Sequence, residues 1–166
     1  MTVRGRHGGD RGDREAAPRV PPAWFMITFW HVHRWVLRVT RGRVGLWRPR
    51  RGGWGAMCVH AVGRRSGEPR DVIVGYFEDG DDVVALAMNG WRPGHPAWWL
   101  NVEAHPDVTL RLPGGERAVT AREAHGAERA RLWARWCEID GDLDALAERR
   151  DVGETPVVVF EPRPPT

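Results

Sequence analysis

The pattern of apolar and polar residues changes character near residue 56 of this chain. Polar residues recur three or four positions apart over 23–41 and form one stripe beside an apolar face, which predicts an amphipathic helix. The stripe consists of His31, Arg34, Arg38 and Arg41. Residues 1–22 are rich in Gly, Arg, Asp and Pro and contain few apolar side chains, which is typical of a disordered basic tail.

From residue 56 onward, short apolar runs alternate with turn residues, which favours β-structure. The predicted strands cover 56–62, 70–77, 82–88, 108–112, 116–123 and 156–160. Helical patterns cover 96–103, 126–139 and 142–150. Six short strands with helices concentrated late in the chain favour a mainly β (α+β) fold, an antiparallel barrel with flanking helices, over a doubly wound parallel sheet. We therefore predict one barrel domain over 42–166, preceded by a tail and a helix.

Composition excludes several classes of enzyme. All 25 basic residues are arginine, so Schiff-base and P-loop lysine chemistry are excluded. The single serine, Ser66, stands in Gly-Arg-Arg-Ser-Gly and not in the elbow of a serine hydrolase. No apolar run reaches the roughly 20 residues that a membrane span requires. No small-residue cleavage site follows the apolar stretch 24–30, and we expect a cytoplasmic protein.

Charge is distributed unevenly along the chain. Residues 1–70 contain 15 arginines and four acidic residues, whereas residues 71–166 contain 10 arginines and 18 acidic residues. A basic first half indicates an anionic partner, which could be a phosphorylated cofactor, a lipid headgroup layer or nucleic acid. Nucleic acid is disfavoured because the chain carries no recognition motif and its second half is acidic.

The histidines and cysteines do not show the spacing of metal ligands. His31 and His33 are two apart and diverge on the predicted helix, and no matching spacing of cysteine or acidic residues accompanies His60, His95, His105 or His125. Cys58 and Cys137 are far apart, each among apolar residues, and we interpret them as small buried side chains. We therefore predict no metal site.

The loop over 63–70, between the first two predicted strands, is the best candidate for chemistry. Its two glycines allow close approach of a ligand to the backbone, and its serine adds a hydroxyl. Its arginines present guanidinium groups that match phosphate or carboxylate geometry. This anion cradle comprises Arg64, Arg65, Ser66, Gly67 and Arg70. A solvated basic turn is the alternative interpretation.

Five segments, in this order and spacing, resemble the deazaflavin-dependent nitroreductase family. They are GRRSGEPR, ALAMNG, HPAWWLNVEAHPDVTL, TAREAHGAERARLWARW and TPVVVFEP, and the resemblance covers roughly residues 30–162. It implies a split β-barrel and coenzyme F420, an 8-hydroxy-5-deazaflavin with a phosphate and an oligoglutamate tail. The cradle would hold the phosphate and the tail. The deazaflavin ring would lie against Ala87, Met88, Asn89, Pro96, Ala97 and Trp98.

The resemblance also implies hydride transfer from the reduced cofactor to a quinone-like or nitroaromatic small molecule. The cofactor carries this chemistry, so no catalytic side chain is expected. Candidate residues of the acceptor pocket are Tyr76, Trp98 and Leu143, with core packing as the alternative for Tyr76. Met88 replaces the serine usual in the family, and residues 139–146 lack the tyrosines of nitroimidazole-reducing members, which disfavours nitroreduction.

Two other functions remain open at this stage: an oxidoreductase of the same fold that binds FMN or another flavin, and a non-catalytic cofactor-binding protein. The helix over 23–41 resembles helices that lie on a membrane surface and predicts peripheral contact with the inner face of the cell membrane. Packing of this helix on the barrel or on a partner subunit is the alternative. A homodimer is also expected.

Overall fold

The computed structural model describes residues 45–148 and 153–164. The predicted tail over 1–22 and the predicted helix over 23–41 lie outside the described residues. Six strands are observed: β1 (Gly55–Val62), β2 (Pro69–Asp79), β3 (Asp82–Leu86), β4 (Asp107–Leu112), β5 (Gly115–Glu123) and β6 (Val157–Pro162). Three α-helices accompany them: α1 (Ala97–Ala104), α2 (Gly126–Ile139) and α3 (Leu143–Ala147). No helix in the described ranges is both long and apolar enough to cross a bilayer.

The six strands form a closed antiparallel barrel in the order β1-β2-β3-β6-β5-β4, which confirms the predicted fold class. Three of the strand pairs are hairpins, β1 with β2, β2 with β3 and β4 with β5. The last strand, β6, lies between β3 and β5 and joins the two halves of the sheet. Closure satisfies the edges that an open sheet would expose.

The interior of the barrel is filled by alternate residues of every strand, as the period of two in a strand requires. Helix α1 adds two buried side chains to the same cluster. The largest members are Met57, Tyr76, Trp99, Leu110 and Phe160. The intervening residues therefore face the outside of the barrel, where they meet the helices or solvent.

A second apolar cluster covers the outer wall of β2, β3 and β6. Helix α2 contributes Leu132 and Trp136, and α3 contributes Leu143. The Trp136 ring meets Phe77 of β2 edge-on, with centroids 5.2 Å apart. The apolar residues of α2 recur at helical spacing because they form the face that packs on the outside of the barrel.

Most element boundaries lie within one residue of the predictions, and the ends of β2, β3, α3 and β6 differ by two or three residues. Strand β3 ends at Leu86 and not at residue 88, because a 3-10 turn over Asn89–Trp91 follows and Asn89 has a φ of 49°. Helix α3 ends at Ala147, earlier than the predicted residue 150. Strand β6 begins at Val157 and runs on to Pro162, because its pairing with β5 continues to that residue.

Candidate cofactor-binding site

The hairpin loop between β1 and β2 is held in shape by its own backbone. Gly63 N–H donates to the Glu68 carbonyl at 2.8 Å, and Gly67 N–H donates to the Gly63 carbonyl at 2.8 Å. Gly67 has a φ of +68°, a conformation that L-residues rarely adopt. A Cβ at Gly63 would lie 2.8 Å from Ser66 Oγ. The two glycines are thus required by the fold of the loop.

The hairpin end carries a net positive charge. Arg64, Arg65 and Arg70 are exposed, as are Ser66 and Gly67. The Arg70 guanidinium donates to Ser66 Oγ at 3.4 Å. Across the described ranges, none of these three arginines forms an ion pair with a carboxylate. The structure therefore brings the predicted cradle residues together at one accessible end of the hairpin, where three arginines stand against one acidic residue, Glu68.

Asn101 of α1 connects the loop to the helix, and the sequence reasoning did not select it. Its Oδ1 accepts the backbone N–H of Arg64 at 3.1 Å and the Arg64 guanidinium at 3.4 Å. Asn101 is only 8% exposed, although it is polar. Its place in HPAWWLN, within one of the resembling segments, is the one signal that could have identified it.

The start of α1 lies about one helical turn before Asn101. Pro96 is buried and precedes the helix without a side-chain cap, so the backbone N–H groups of Ala97 and Trp98 have no intrahelical partner. Trp99 is 4% exposed and packs into the barrel, whereas Trp98 is half-buried. The two rings meet edge-on with centroids 6.3 Å apart. Trp98 also packs against the barrel cluster, but part of its side chain stays accessible.

The three predicted ring-lining residues after β3 point in different directions. Ala87 is fully buried in the barrel, whereas Met88 packs against the outer apolar cluster. Asn89 Nδ2 donates to the carbonyls of Pro93 at 3.0 Å and Gly94 at 3.3 Å. Asn89 thus fixes the shape of the loop before α1. Contact of these residues with a cofactor stays a prediction.

The barrel wall separates two of the proposed acceptor-pocket residues. Tyr76 is fully buried inside the barrel, and Leu143 is 1% exposed in the cluster outside it. Burial raises the pKa of Tyr76 to about 12, so its hydroxyl is protonated at neutral pH. The structure therefore separates Leu143 from Tyr76 and Trp98, which belong to the barrel cluster or pack against it. Their role toward an acceptor stays a prediction.

Two surface grooves occur elsewhere on the fold. One lies along α2 and α3 and includes Trp133 and Cys137. The other includes Trp47 and Trp54, which are 41% and 47% exposed with ring centroids 5.1 Å apart. Neither groove contains a residue of the cradle.

Comparison with known proteins assigns the family. A family model described as F420H(2)-dependent quinone reductase matches residues 30–162, which is most of the chain. This chain belongs to the F420H(2)-dependent quinone reductase family. It is therefore a deazaflavin-dependent oxidoreductase whose cofactor is coenzyme F420, and the FMN alternative is disfavoured.

Individual relatives agree with this family. An F420H(2)-dependent quinone reductase of Mycobacterium tuberculosis is 31% identical over 134 residues, 80% of this chain and 89% of the relative. A solved F420-H2 dependent reductase is 27% identical with a TM-score of 0.58, covering 70% of this chain and all of that one. A structure described as a domain-swapped dimer is 28% identical with a TM-score of 0.59, covering 81% and 99%.

Proposed function

We propose that this chain transfers hydride from reduced coenzyme F420 to a lipophilic quinone. The family and the mycobacterial relative support a quinone as acceptor. When bound, the deazaflavin supplies two-electron hydride chemistry, and the protein supplies binding, alignment and exclusion of water. Hydride addition to a quinone leaves a quinol anion that would take its proton from solvent, so the transfer requires no nucleophile from the chain.

The observation that carries the proposal is the cradle of Arg64, Arg65 and Arg70. A phosphate followed by glutamate carboxylates is a ligand of high negative charge density, and guanidinium groups bind such oxygens in pairs. The described part of the chain leaves these arginines without carboxylate partners. They would hold the phosphate and the tail, together with Ser66 Oγ and the Gly67 backbone.

Helix α1 would position the ring. The bond between Asn101 and the Arg64 N–H holds the cradle beside this helix, so a ligand gripped by the loop also reaches the start of α1. The unpaired N–H groups of Ala97 and Trp98 would bind electronegative atoms of the ligand. The exposed part of Trp98 would cover one ring face, because indole stacks on flat aromatic groups.

The test combines binding and turnover. The full-length protein is titrated with coenzyme F420 while tryptophan fluorescence is followed, with FMN as the comparison ligand. Reduced cofactor is then supplied with menadione, with a nitroaromatic compound, or without acceptor. We expect quenching by coenzyme F420 and oxidation of the reduced cofactor by menadione. Binding without turnover across acceptors would support the non-catalytic alternative, and faster turnover of the nitroaromatic compound would make it the preferred acceptor.

We further propose that the chain contacts the membrane peripherally through residues 23–41 and forms a homodimer. A lipophilic quinone partitions into the bilayer, and the arginine stripe of this segment suits anionic headgroups. The 28% identical structure described as a domain-swapped dimer supports self-association. Co-sedimentation with anionic vesicles should be lost when Arg34 and Arg38 are replaced by glutamate, and light scattering should give twice the mass of the chain.

A further inference from the structure

The outer face of β1 carries a cluster of metal-binding side chains that the proposed redox function does not use. Cys58 and His60 are two positions apart on β1 and so project from the same face of the strand. Asp71 of β2 stands directly opposite His60 in the strand register. One ligand atom from each of the three residues lies within 4.8 Å of the other two.

The donors are arranged as in protein metal sites. Asp71 Oδ1 lies 2.6 Å from His60 Nδ1, a contact that fixes the imidazole orientation. The other ring nitrogen, His60 Nε2, is buried and finds no hydrogen-bond partner in the described part of the chain. A cation bound by both His60 and Asp71 would be held at Nδ1, the ring nitrogen that faces the carboxylate. Asp71 is exposed at 64% of its side chain and opens the cluster to solvent.

The surrounding charges permit a cation at this position. Arg111 of β4 stands opposite Cys58, and its guanidinium bonds to Glu116 at 2.7 Å. Arg111 and Glu116 offset each other, so the carboxylate of Asp71 leaves the cluster with one negative charge, which favours a cation.

From these contacts, we propose that Cys58, His60 and Asp71 bind a divalent cation of the zinc class. Sulfur, imidazole nitrogen and carboxylate oxygen together are the donor set of Zn²⁺, and three protein ligands leave a fourth position open. Ligand atoms on one tetrahedral zinc are separated by about 3.3–3.6 Å, so the 2.6 Å contact between His60 and Asp71 would open as the ion enters. The site lies on the outside of the barrel and does not depend on the cofactor cradle.

The test uses untagged, metal-free, full-length protein and Co²⁺ as the spectroscopic probe. We expect one Co²⁺ per chain, a thiolate-to-cobalt charge-transfer band in the near ultraviolet, and displacement of that band by Zn²⁺. Cys58→Ser should abolish the band. His60→Gln and Asp71→Asn should each weaken Zn²⁺ binding by about 10–100-fold in competition with a chromophoric chelator.

Two control variants test whether the Co²⁺ spectrum depends on these three residues in particular. Cys137→Ser and His105→Gln remove the same residue types elsewhere and should leave the Co²⁺ spectrum unchanged. Circular dichroism of each variant checks the fold, and His60→Gln decides the matter if Cys58→Ser does not fold. Absence of a charge-transfer band, or a band that survives Cys58→Ser, would overturn the proposal. Titration of the same variants with coenzyme F420 reports on the cradle separately.

Discussion

Asn101 Oδ1 accepts the backbone N–H of Arg64 at 3.1 Å, and this bond joins α1 to the cradle loop. The two residues are 37 positions apart in sequence. The bond occupies the buried oxygen of Asn101 and holds the arginine-bearing backbone beside the helix. Loop and helix would therefore act as one binding unit.

We expect Asn101→Ala to weaken cofactor binding without unfolding the barrel. One neutral hydrogen bond contributes about 0.5–1.5 kcal/mol, so affinity should fall by about 2- to 10-fold. Fluorescence titration measures the effect, and circular dichroism checks the fold. Thr109→Ala, on the outer face of β4, is the control and should bind as the parent does. Equal affinity in both variants would mean that the Asn101 bond does not position the cradle.

Replacing Arg64, Arg65 and Arg70 together by alanine should reduce cofactor affinity by far more than tenfold. A hydrogen bond to a charged group contributes about 1.5–3 kcal/mol, and ionic contacts weaken as salt is added. The variant should therefore also show a flatter dependence of affinity on salt. Arg135→Ala removes an exposed arginine of α2 and serves as the charge control. An unchanged salt dependence in the triple variant would place the anion site elsewhere.

Gly63→Ala should damage the site through the shape of the loop alone. The added Cβ would lie 2.8 Å from Ser66 Oγ and 3.3 Å from the Glu68 carbonyl, so the loop must shift. We expect weaker cofactor binding in a protein that still folds. Gly141→Ala is the matched control, because no atom lies within 4 Å of its Cβ. If Gly63→Ala binds the cofactor as tightly as the parent protein does, the loop accommodates the added Cβ without loss of binding.

Acid should lower the free energy of unfolding, partly because it protonates the Glu128 carboxylate. Arg122 donates to both carboxylate oxygens of Glu128, at 2.6 and 2.7 Å, and holds the pKa of that carboxyl below its usual range. A lowered folded pKa contributes stability above the unfolded value of about 4.3, and this stability is lost as pH falls through the folded value.

We therefore expect Glu128→Gln to lower Tm at neutral pH and to converge with the parent in strong acid. Thermal unfolding followed by circular dichroism from neutral pH to about pH 2 measures both effects. Both side chains are about one-third exposed, so solvent screening keeps the difference small. A constant Tm difference at every pH would assign the effect to packing.

Leu143→Ala separates a core role from a pocket role. The side chain is 1% exposed among Phe77 and Trp136, so truncation should cost about 2–5 kcal/mol of the free energy of unfolding. The KM for the quinone should stay unchanged in the folded fraction. Leu112→Ala, which removes a half-buried leucine, should cost less. A raised KM with parental stability would instead place Leu143 in the acceptor pocket.

Much of the fold was predictable from local patterns. All six strands and the three described helices appear within a few residues of their predicted positions, because alternation and turn residues act over short sequence distances. The predicted end of β3 was wrong by two residues. Met88 continues the apolar run of the sequence, but the chain leaves the sheet before Asn89, whose φ is positive. Met88 packs against the outer apolar cluster, and the sequence pattern does not distinguish this position from an apolar position in a strand.

The sequence by itself determined that this chain is an arginine-rich barrel, and it predicted an anion cradle between the first two strands. Its family segments further indicated coenzyme F420. Only the tertiary structure decided that Asn101 secures the cradle, that the barrel wall divides Tyr76 from Leu143, and that Asp71 meets His60 beside Cys58. These relationships depend on strand register and barrel closure, which bring distant residues together, whereas sequence patterns report only on neighbours along the chain.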